Sequence, residues 1–418
     1  MATLSTPIPL RLRAVGWLVH YILPLGWIAM LTGMFWIGDR SLYHKLYYVL
    51  VAVPTVAALA LHPQQLKALA TQPLFLAFIA FSAYMMLTLL WSPTDNHPGS
   101  LFKRPLYIGL LLLAAGLIAS HSANRFIAAT YISALIAVLG ALALLGHFLM
   151  VELPKGVDRL SGMGAFYNPL LTSHVLGAFA AYWMATTFQS PKKNMALPIT
   201  CLTILLVAIL ATGSRTPLVG LLIGFAWLLI GGHPKRGFIG MGLIIAVGVA
   251  LTFLYPDAVL QRGLSYRPEI WTKVVGMVGE RPWLGLGYDA PIKLNIPGVA
   301  EILSDPHNIE LAVLYEGGIV GLLLWVVLYA TALVFCWRFR SEPYINLAGT
   351  WLAFGFGAGL TEGAAFLSRP KEHWLLIWLP IAFIYGLRVT RMDRRAPARA
   401  SKNSCEEDEP SSKFIKRG

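Results

Sequence analysis

Residues 196–232 read ALPITCLTILLVAILATGSRTPLVGLLIGFAWLLIGG, and this stretch decides the fold class. Two apolar runs, 196–212 and 216–231, flank a short polar turn, and Arg215 is the only charged residue in the stretch. Apolar runs of about 17 to 25 residues are long enough to cross a bilayer as α-helices. The stretch therefore predicts two membrane-spanning helices joined by a very tight hairpin.

The same pattern continues along most of the chain. Of its 418 residues, 57% are hydrophobic and 13% are charged, whereas a soluble domain carries about 25% charged residues. Apolar runs predict about twelve spanning helices, near 15–37, 44–61, 72–91, 104–120, 124–150, 170–189, 196–212, 216–231, 237–255, 307–337, 344–366 and 373–388. We predict an all-α integral membrane domain over residues 1–393 and a disordered polar tail over residues 394–418.

The distribution of charge predicts how the helices are oriented. The net charge is +13, and lysine and arginine concentrate in alternate loops and in the tail, while the opposite loops mix acids with bases. This asymmetry is typical of membrane topology and makes nucleic-acid binding the weaker interpretation. Both termini are predicted to be cytoplasmic, and the first apolar run is predicted to be an uncleaved span. The three cysteines avoid the outer loops, so neither a disulfide nor a thiolate metal site is expected.

Two segments on the predicted outer face are too long to be simple turns. They are residues 152–169 and 256–306, and long loops in compact proteins are usually functional or disordered. The second segment is rich in aromatic residues and contains PEIWTKVVGMV, residues 268–278. In this stretch one helical face is formed by Ile270, Trp271, Val274, Val275 and Val278. We therefore expect a folded outer loop that carries short helices.

Three predicted helix starts on the outer face each combine a proline with a nearby arginine or histidine. Arg215 precedes Pro217 by two residues, Arg267 directly precedes Pro268, and His307 directly follows a proline. Proline favours the first helical position, and a helix N-terminus offers free N–H groups and a positive dipole end. If these starts converge, they form a site for an anion such as phosphate or pyrophosphate. The alternative for each arginine is an anchor at the membrane surface.

His307 is the best candidate for a general base. We expect a helix dipole to keep its imidazole neutral, with Asp305 either orienting the ring or capping the helix. The alternative is a structural histidine at a helix start. The outer loops hold few acids and neither a D-x-D nor an H-x-x-x-H pattern, so we predict no metal and no cofactor. Ionisable residues within the predicted spans are sparse, which argues against an ion-coupled transporter.

Four segments resemble one known family. DPHNIELAVLYEGGIVG, residues 305–321, resembles the signature of the O-antigen ligase and polymerase family: a histidine, an asparagine, nine residues and G-x-x-G. Here these positions are His307, Asn308, Gly318 and Gly321, and the following Leu322-Leu323 is a mild departure from the family pattern. TGSRTPLVG around Arg215, SYRPEIWTKVVGMVGERPWLGLGY with Arg267 and Trp271, and RLSGMGAFYNP from Arg159 to Pro169 resemble three further elements in matching order.

The resemblance implies a GT-C-like glycosyltransferase of the bacterial inner membrane with a periplasmic active site. Its donor would be an undecaprenyl-pyrophosphate-linked glycan and its acceptor a sugar hydroxyl of lipid A–core, without metal. It further implies that Arg215 and Arg267 bind the donor pyrophosphate and that His307 acts in catalysis. The other residues expected to bind substrate are Arg159, Asn168, Trp271, Tyr288 and Asn308.

Other functions remain open beside the ligase. An O-antigen polymerase uses the same donor but elongates another lipid-linked glycan, and the long loop together with the H-N-x9-G-x-x-G segment favours the ligase. A protein oligosaccharyltransferase usually carries an additional C-terminal region, which the short basic tail here does not resemble. A flippase for lipid-linked glycans, a protein of a different class, would need a polar path through the bundle, whereas the polar residues here lie at one end.

Overall fold

The structure is a computed structural model, and it describes residues 9–162, 164, 166, 168–232, 266–297, 299 and 301–391. Within these residues the regular structure is helical, apart from one isolated antiparallel bridge between Leu294 and Leu303. The helices are α1 (Leu10–Phe35), α2 (Arg40–Leu61), α3 (Pro63–Ala70), α4 (Pro73–Leu90), α5 (Pro98–His121), α6 (Ala123–Lys155), α7 (Pro169–Gln189), α8 (Ala196–Ala211), α9 (Thr216–Gly231), α10 (Arg267–Val278), α11 (Ile309–Arg338), α12 (Pro343–Gly359) and α13 (Glu372–Arg391).

The all-helical membrane class is confirmed for this part of the chain. Seven of the described helices, α1, α2, α4, α5, α6, α11 and α13, are long and apolar enough to cross a membrane, and α8 and α9 are shorter apolar helices. Every predicted span except the ninth overlaps a helix. The ninth, residues 237–255, lies outside the described residues, so the count of twelve spans stays a prediction. The predicted tail, residues 394–418, also lies outside them.

The centre of the bundle consists of α7, α9 and α12 packed against one another. Gly220 and Gly224 lie one turn apart on α9, and a Cβ atom at Gly220 would lie 2.7 Å from the carbonyl oxygen of Phe354 on α12. Small residues at this spacing allow helix backbones in a membrane to approach closely, which increases dispersion contacts. This close packing brings together the start of α7, the start of α9 and the end of α12.

The segment after α12 differs from the prediction. A span was predicted over 344–366, but α12 ends at Gly359 and residues 360–371 are not helical. Two buried tryptophans of α13 hold this segment: Trp378 Nε1 donates to the carbonyl of Phe366 at 2.6 Å, and Trp374 Nε1 donates to Ser368 Oγ at 3.2 Å. The segment 360–371 therefore has a defined conformation at the end of the bundle where α12 ends and α13 begins.

Helix α11 is broken at Gly318, where a continuous span was predicted over 307–337. Gly318 has φ 63° and ψ −165°, a region that is essentially restricted to glycine. The loop beside it supplies hydrogen-bond partners, because Ile319 N–H donates to the Pro282 carbonyl at 2.8 Å and Leu286 N–H donates to the Tyr315 carbonyl at 2.9 Å. The first part of α11 is thus separated from the longer part that follows.

Helix α10 packs on this first part of α11. Ile270, Val274 and Val278 are buried against Leu311 and Tyr315, which confirms most of the apolar face predicted for residues 268–278. Val275, which was placed on the same face, is 55% exposed, so the buried stripe is narrower than predicted. The packing fixes the start of α10 next to the start of α11.

Candidate functional site

Arg267 is the first residue of α10, and its side chain reaches the segment after α12. Tyr266 before it has a left-handed backbone with φ 57°, which turns the chain into the helix. The Nε atom of Arg267 donates to the carbonyl oxygen of Thr361 at 2.9 Å, and an Nη atom donates to Oε2 of Glu362 at 3.2 Å. The guanidinium is thus held by two partners from the segment 360–371.

His307 reaches the same carboxylate from the start of α11. Its Nδ1 atom lies 3.1 Å from Oε1 of Glu362. Its backbone is left-handed with φ 49°, an uncommon conformation outside glycine, and its N–H donates to Oδ1 of Asp305 at 2.7 Å. Asn308 Oδ1 accepts a hydrogen bond from Leu311 N–H at 2.8 Å and so caps the helix. Glu362 therefore joins His307 and Arg267 into one network.

The electrostatics of the network follow from these contacts. The hydrogen bond with Glu362 raises the pKa of His307 above its ordinary value, and this outweighs the burial that lowers it. Burial raises the pKa of Glu362, but the hydrogen bond and charge of His307, together with the charges of His174 and Arg267, outweigh burial, and the net pKa is lowered. Burial raises the pKa of the neighbouring Asp305. Of the two carboxyl groups, Glu362 and Asp305, Glu362 is consequently the one that favours the ionised form.

Two expectations about His307 are corrected here. A helix dipole was expected to disfavour the imidazolium, but the contact with Glu362 has the larger effect and shifts the pKa upwards. Asp305 was expected to orient the ring or cap the helix, but it binds the backbone N–H of His307, while Asn308 provides the cap. The ring itself is oriented by Glu362.

The third predicted helix start lies next to this network. Arg215 is the N-cap residue of α9 and its side chain is exposed. Oγ1 of Thr216, the next residue, lies 2.9 Å from Nε2 of His174 on α7. His174 is fully buried and is close enough to Glu362 and Arg267 to interact with their charges. The start of α9 thus contacts His174, which lies within range of the charges of Glu362 and Arg267.

The remaining predicted site residues contact protein groups around the network. Arg159 Nε donates to the Thr212 carbonyl at 2.8 Å, which braces the hairpin that carries Arg215. Asn168 Oδ1 accepts from Leu170 N–H at 2.8 Å and caps α7. Trp271 Nε1 donates to the Pro306 carbonyl at 3.0 Å, directly before His307. The Arg159 contact thus supports the hairpin before α9, and the Trp271 contact links α10 to the segment before α11.

Tyr288 supports the segment 360–371 from the side of the long loop. It is 2% exposed, its hydroxyl donates to the Leu367 carbonyl at 2.8 Å, and Arg104 donates to the same hydroxyl at 3.1 Å. Arg104 also pairs with Asp289 at 2.8 Å. Tyr288 therefore has its polar atom engaged within the protein, next to the segment that carries Glu362.

Glu362 is the one residue of the network that sequence reasoning missed. It was hidden inside the span predicted over 344–366, where it was not singled out. A signal was available, because an ionisable residue between Thr361 and Gly363 at the outer end of an apolar run is unusual and marks a functional position more often than a packing one.

Among the described residues, no group of three or more His, Cys, Asp or Glu side chains is placed to hold a metal ion. The network contains one histidine and one carboxylate in direct contact, with a guanidinium beside them. Such a set can hold an anion and exchange a proton with it or with a neighbouring hydroxyl. Independence of metal stays a prediction.

Comparison with known proteins gives two matches. The family described as O-antigen ligase matches residues 200–326, a range that contains Arg215, Arg267 and His307. A curated protein of Pseudomonas aeruginosa strain PAO1, described as "O-antigen ligase", is 51% identical over 370 residues. That alignment covers 88% of this chain and 91% of the Pseudomonas protein. A continuous alignment of this length includes Glu362.

Proposed function

Because this chain belongs to the O-antigen ligase family, we propose that it is a glycosyltransferase that joins O-antigen glycan to lipid A–core. The donor is the glycan linked to undecaprenyl pyrophosphate, and the acceptor is a sugar hydroxyl of lipid A–core. The observation that supports this most is the Arg267–Glu362–His307 network, because it places a phosphate-binding group beside a base.

Arg267 and Arg215 bind the donor pyrophosphate. A guanidinium has about five N–H donors in a planar fork that matches phosphate oxygens. The bonds of Arg267 to Thr361 and Glu362 use part of this fork and hold the rest in a fixed direction. As the bond to the sugar breaks, negative charge grows on the leaving pyrophosphate, and prepositioned cations stabilise that charge more than they stabilise the bound donor.

His307 accepts the proton of the attacking hydroxyl. Its Nδ1 atom is bound to Glu362, which leaves Nε2 as the atom that takes the proton, and the carboxylate stabilises the imidazolium that forms. The acceptor oxygen forms a bond to the anomeric carbon, the bond from that carbon to the pyrophosphate oxygen breaks, and the electron pair leaves with undecaprenyl pyrophosphate. Displacement in one step inverts the anomeric configuration.

The placement of the chain follows from the same proposal. Residues 1–393 form the membrane domain in the bacterial inner membrane, and residues 394–418 form a cytoplasmic tail. Both termini are cytoplasmic, and the network faces the periplasm, where the lipid-linked donor and lipid A–core meet. The lysine and arginine distribution supports this orientation.

The decisive experiment is to incubate the purified full chain with lipid-linked glycan and lipid A–core in the presence of a metal chelator. We expect a joined product whose new linkage is inverted relative to the donor, and no product from His307→Ala. Elongation of the lipid-linked glycan without transfer to lipid A–core would identify a polymerase instead. Retention of the donor configuration would exclude single displacement.

A further inference from the structure

A pocket of about 590 Å³ lies at the other end of the bundle from the candidate site. It is formed where α4 begins and where α11 and α13 end. The residues around it include Val327, Ala330, Val334, Arg338, Arg388 and Arg391. The proposed reaction uses none of these residues, so the pocket needs an explanation of its own.

One wall of the pocket is apolar. It belongs to α11, one of the helices long and apolar enough to cross a membrane, and Val327 and Val334 on it are 51% and 65% exposed. At about 1.5 Å per residue, the path from Val327 to Arg338 spans roughly 16 Å, which is about half of the roughly 30 Å hydrocarbon core. The wall thus matches the depth of a single leaflet.

The end of the pocket is cationic. The guanidinium carbon of Arg388 lies 5.6 Å from the ring centre of Phe335, and that of Arg338 lies 5.8 Å from the ring centre of Phe339. The Nε atom of Arg388 is buried and has no hydrogen-bond partner within the part of the chain that the structure describes. A buried donor without a partner is unfavourable and indicates an acceptor that binds there.

Acids of the described bundle do not supply that acceptor. None of the residues that line the pocket is acidic, and Glu342 nearby is paired with Arg391. Beyond the described residues, acids stand at Asp393 and in the block 406–409, so the acceptor comes either from the tail or from a ligand that carries negative charge at one end. The exposed valines require the same ligand to be apolar along the rest of its length.

We propose that this pocket binds one anionic phospholipid of the leaflet on this face. Its phosphate lies between Arg338 and Arg388, and one acyl chain lies along the wall from Val334 to Val327. The charge pattern predicts that this face is cytoplasmic, and basic pockets between helices on that side are suited to anionic head groups. The tail is the competing occupant, but over residues 394–418 its only large apolar side chains are Phe414 and Ile415, which cannot cover such a wall.

The test measures binding of phosphatidylglycerol and of phosphatidylcholine with identical acyl chains to the full chain in detergent, by native mass spectrometry. We expect the wild type to prefer phosphatidylglycerol. An arginine near an anionic lipid contributes about 1 kcal/mol, so the double variant Arg338→Gln/Arg388→Gln should bind phosphatidylglycerol about thirtyfold more weakly. Its weak binding of phosphatidylcholine should not change.

Two further variants separate binding from folding. Ala330→Trp fills the pocket without removing a charge and should weaken the binding of both lipids. Arg13→Gln removes an exposed arginine at the same predicted face but outside the pocket, and should bind both lipids as the wild type does. Equal binding of the two lipids by the wild type would overturn the proposal. Binding that appears only after deletion of residues 394–418 would also overturn it, because the tail would then be the occupant.

Discussion

At the scale of single residues, Glu362 organises the candidate site. Its Oε1 atom lies 3.1 Å from His307 Nδ1, and its Oε2 atom lies 3.2 Å from both His307 Nδ1 and an Nη atom of Arg267. It therefore sets the direction of the imidazole, favours the protonated imidazole and holds the guanidinium. A residue with these contacts is a positioning residue, because it acts on the reaction through the other two.

The variant Glu362→Gln tests this role. We expect kcat to fall by about 100-fold, within the range that general acid–base groups contribute, because the imidazolium loses its stabilising charge. The carboxylate raises the pKa of His307, so activity that requires the neutral base is lost as the pH falls through that raised pKa. Without the carboxylate the pKa falls, and the acidic limb of the pH–rate profile should move to lower pH.

The control for this variant is Glu280→Gln, which removes a charge from an exposed residue at the end of α10. We expect it to keep the wild-type pH–rate profile. An unchanged acidic limb in Glu362→Gln would show that Glu362 does not control the protonation of His307, even if its activity is lower.

The variant Arg267→Lys keeps the charge but removes the planar fork. Lysine cannot bond to Thr361, Glu362 and a phosphate in the same fixed geometry, so we expect kcat to fall by about 100-fold with a smaller change in KM for the donor. Steady-state kinetics with varied donor concentration measure both. Arg281→Lys, at an exposed position on the same outer loop, is the matched control, and wild-type kinetics in Arg267→Lys would refute the pyrophosphate role.

At the scale of elements, the break in α11 explains the first glycine of the G-x-x-G segment. A Cβ atom at Gly318 would lie 2.4 Å from the carbonyl oxygen of Trp283, and the backbone there is left-handed. The break separates the segment that begins beside His307 from the spanning part of α11. The direction of that segment can then be set by α10 and by the loop 282–287 rather than by the bundle.

Gly318→Ala should therefore destabilise the fold by about 1 to 3 kcal/mol for the backbone strain alone, with a further loss from the steric clash. The measurement is the unfolding temperature of the purified protein in detergent. Gly276→Ala on α10 is the control, because a Cβ atom there meets nothing within 4 Å and alanine favours a helix. Equal unfolding temperatures for Gly318→Ala and the wild type would contradict the structure at this position.

At the scale of the whole molecule, the two ends of the bundle differ in chemistry. The network of His307, Glu362 and Arg267 lies at one end, and the arginine-rimmed pocket lies at the other. Helices α11 and α13 run between the two ends, since each begins beside the network and ends at the pocket. If the predicted orientation is right, the two sites face different compartments.

Labelling of single introduced cysteines tests that orientation. In intact cells, Glu280→Cys should react with a membrane-impermeant maleimide, because residue 280 lies in the outer loop of the candidate site. Lys192→Cys, between α7 and α8, should react only after the membrane is permeabilised. Cys201 and Cys336 are buried and add little background, and Cys405 in the predicted cytoplasmic tail is replaced by serine in both variants. Reversed labelling of the two positions would place the candidate site in the cytoplasm.

The helices and the chemical types at the site could be predicted from the sequence because both depend on local information. Apolar runs predict spans from composition and length alone, and Arg215, Arg267 and His307 stand beside prolines that mark helix starts. The break at Gly318 was harder to predict, because an apolar segment has the same hydropathy whether its helix is continuous or broken.

By itself, the amino-acid sequence determined that this is a helical membrane protein and which family it resembles, and it predicts which face carries the candidate chemistry. Only the tertiary structure decided that Glu362 joins His307 to Arg267, and that the pKa of His307 is raised rather than lowered. The physical reason is distance. Hydropathy and helix-start signals act over a few neighbouring residues, whereas the pKa of an imidazole depends on a carboxylate 55 positions away in the chain and 3.1 Å away in space.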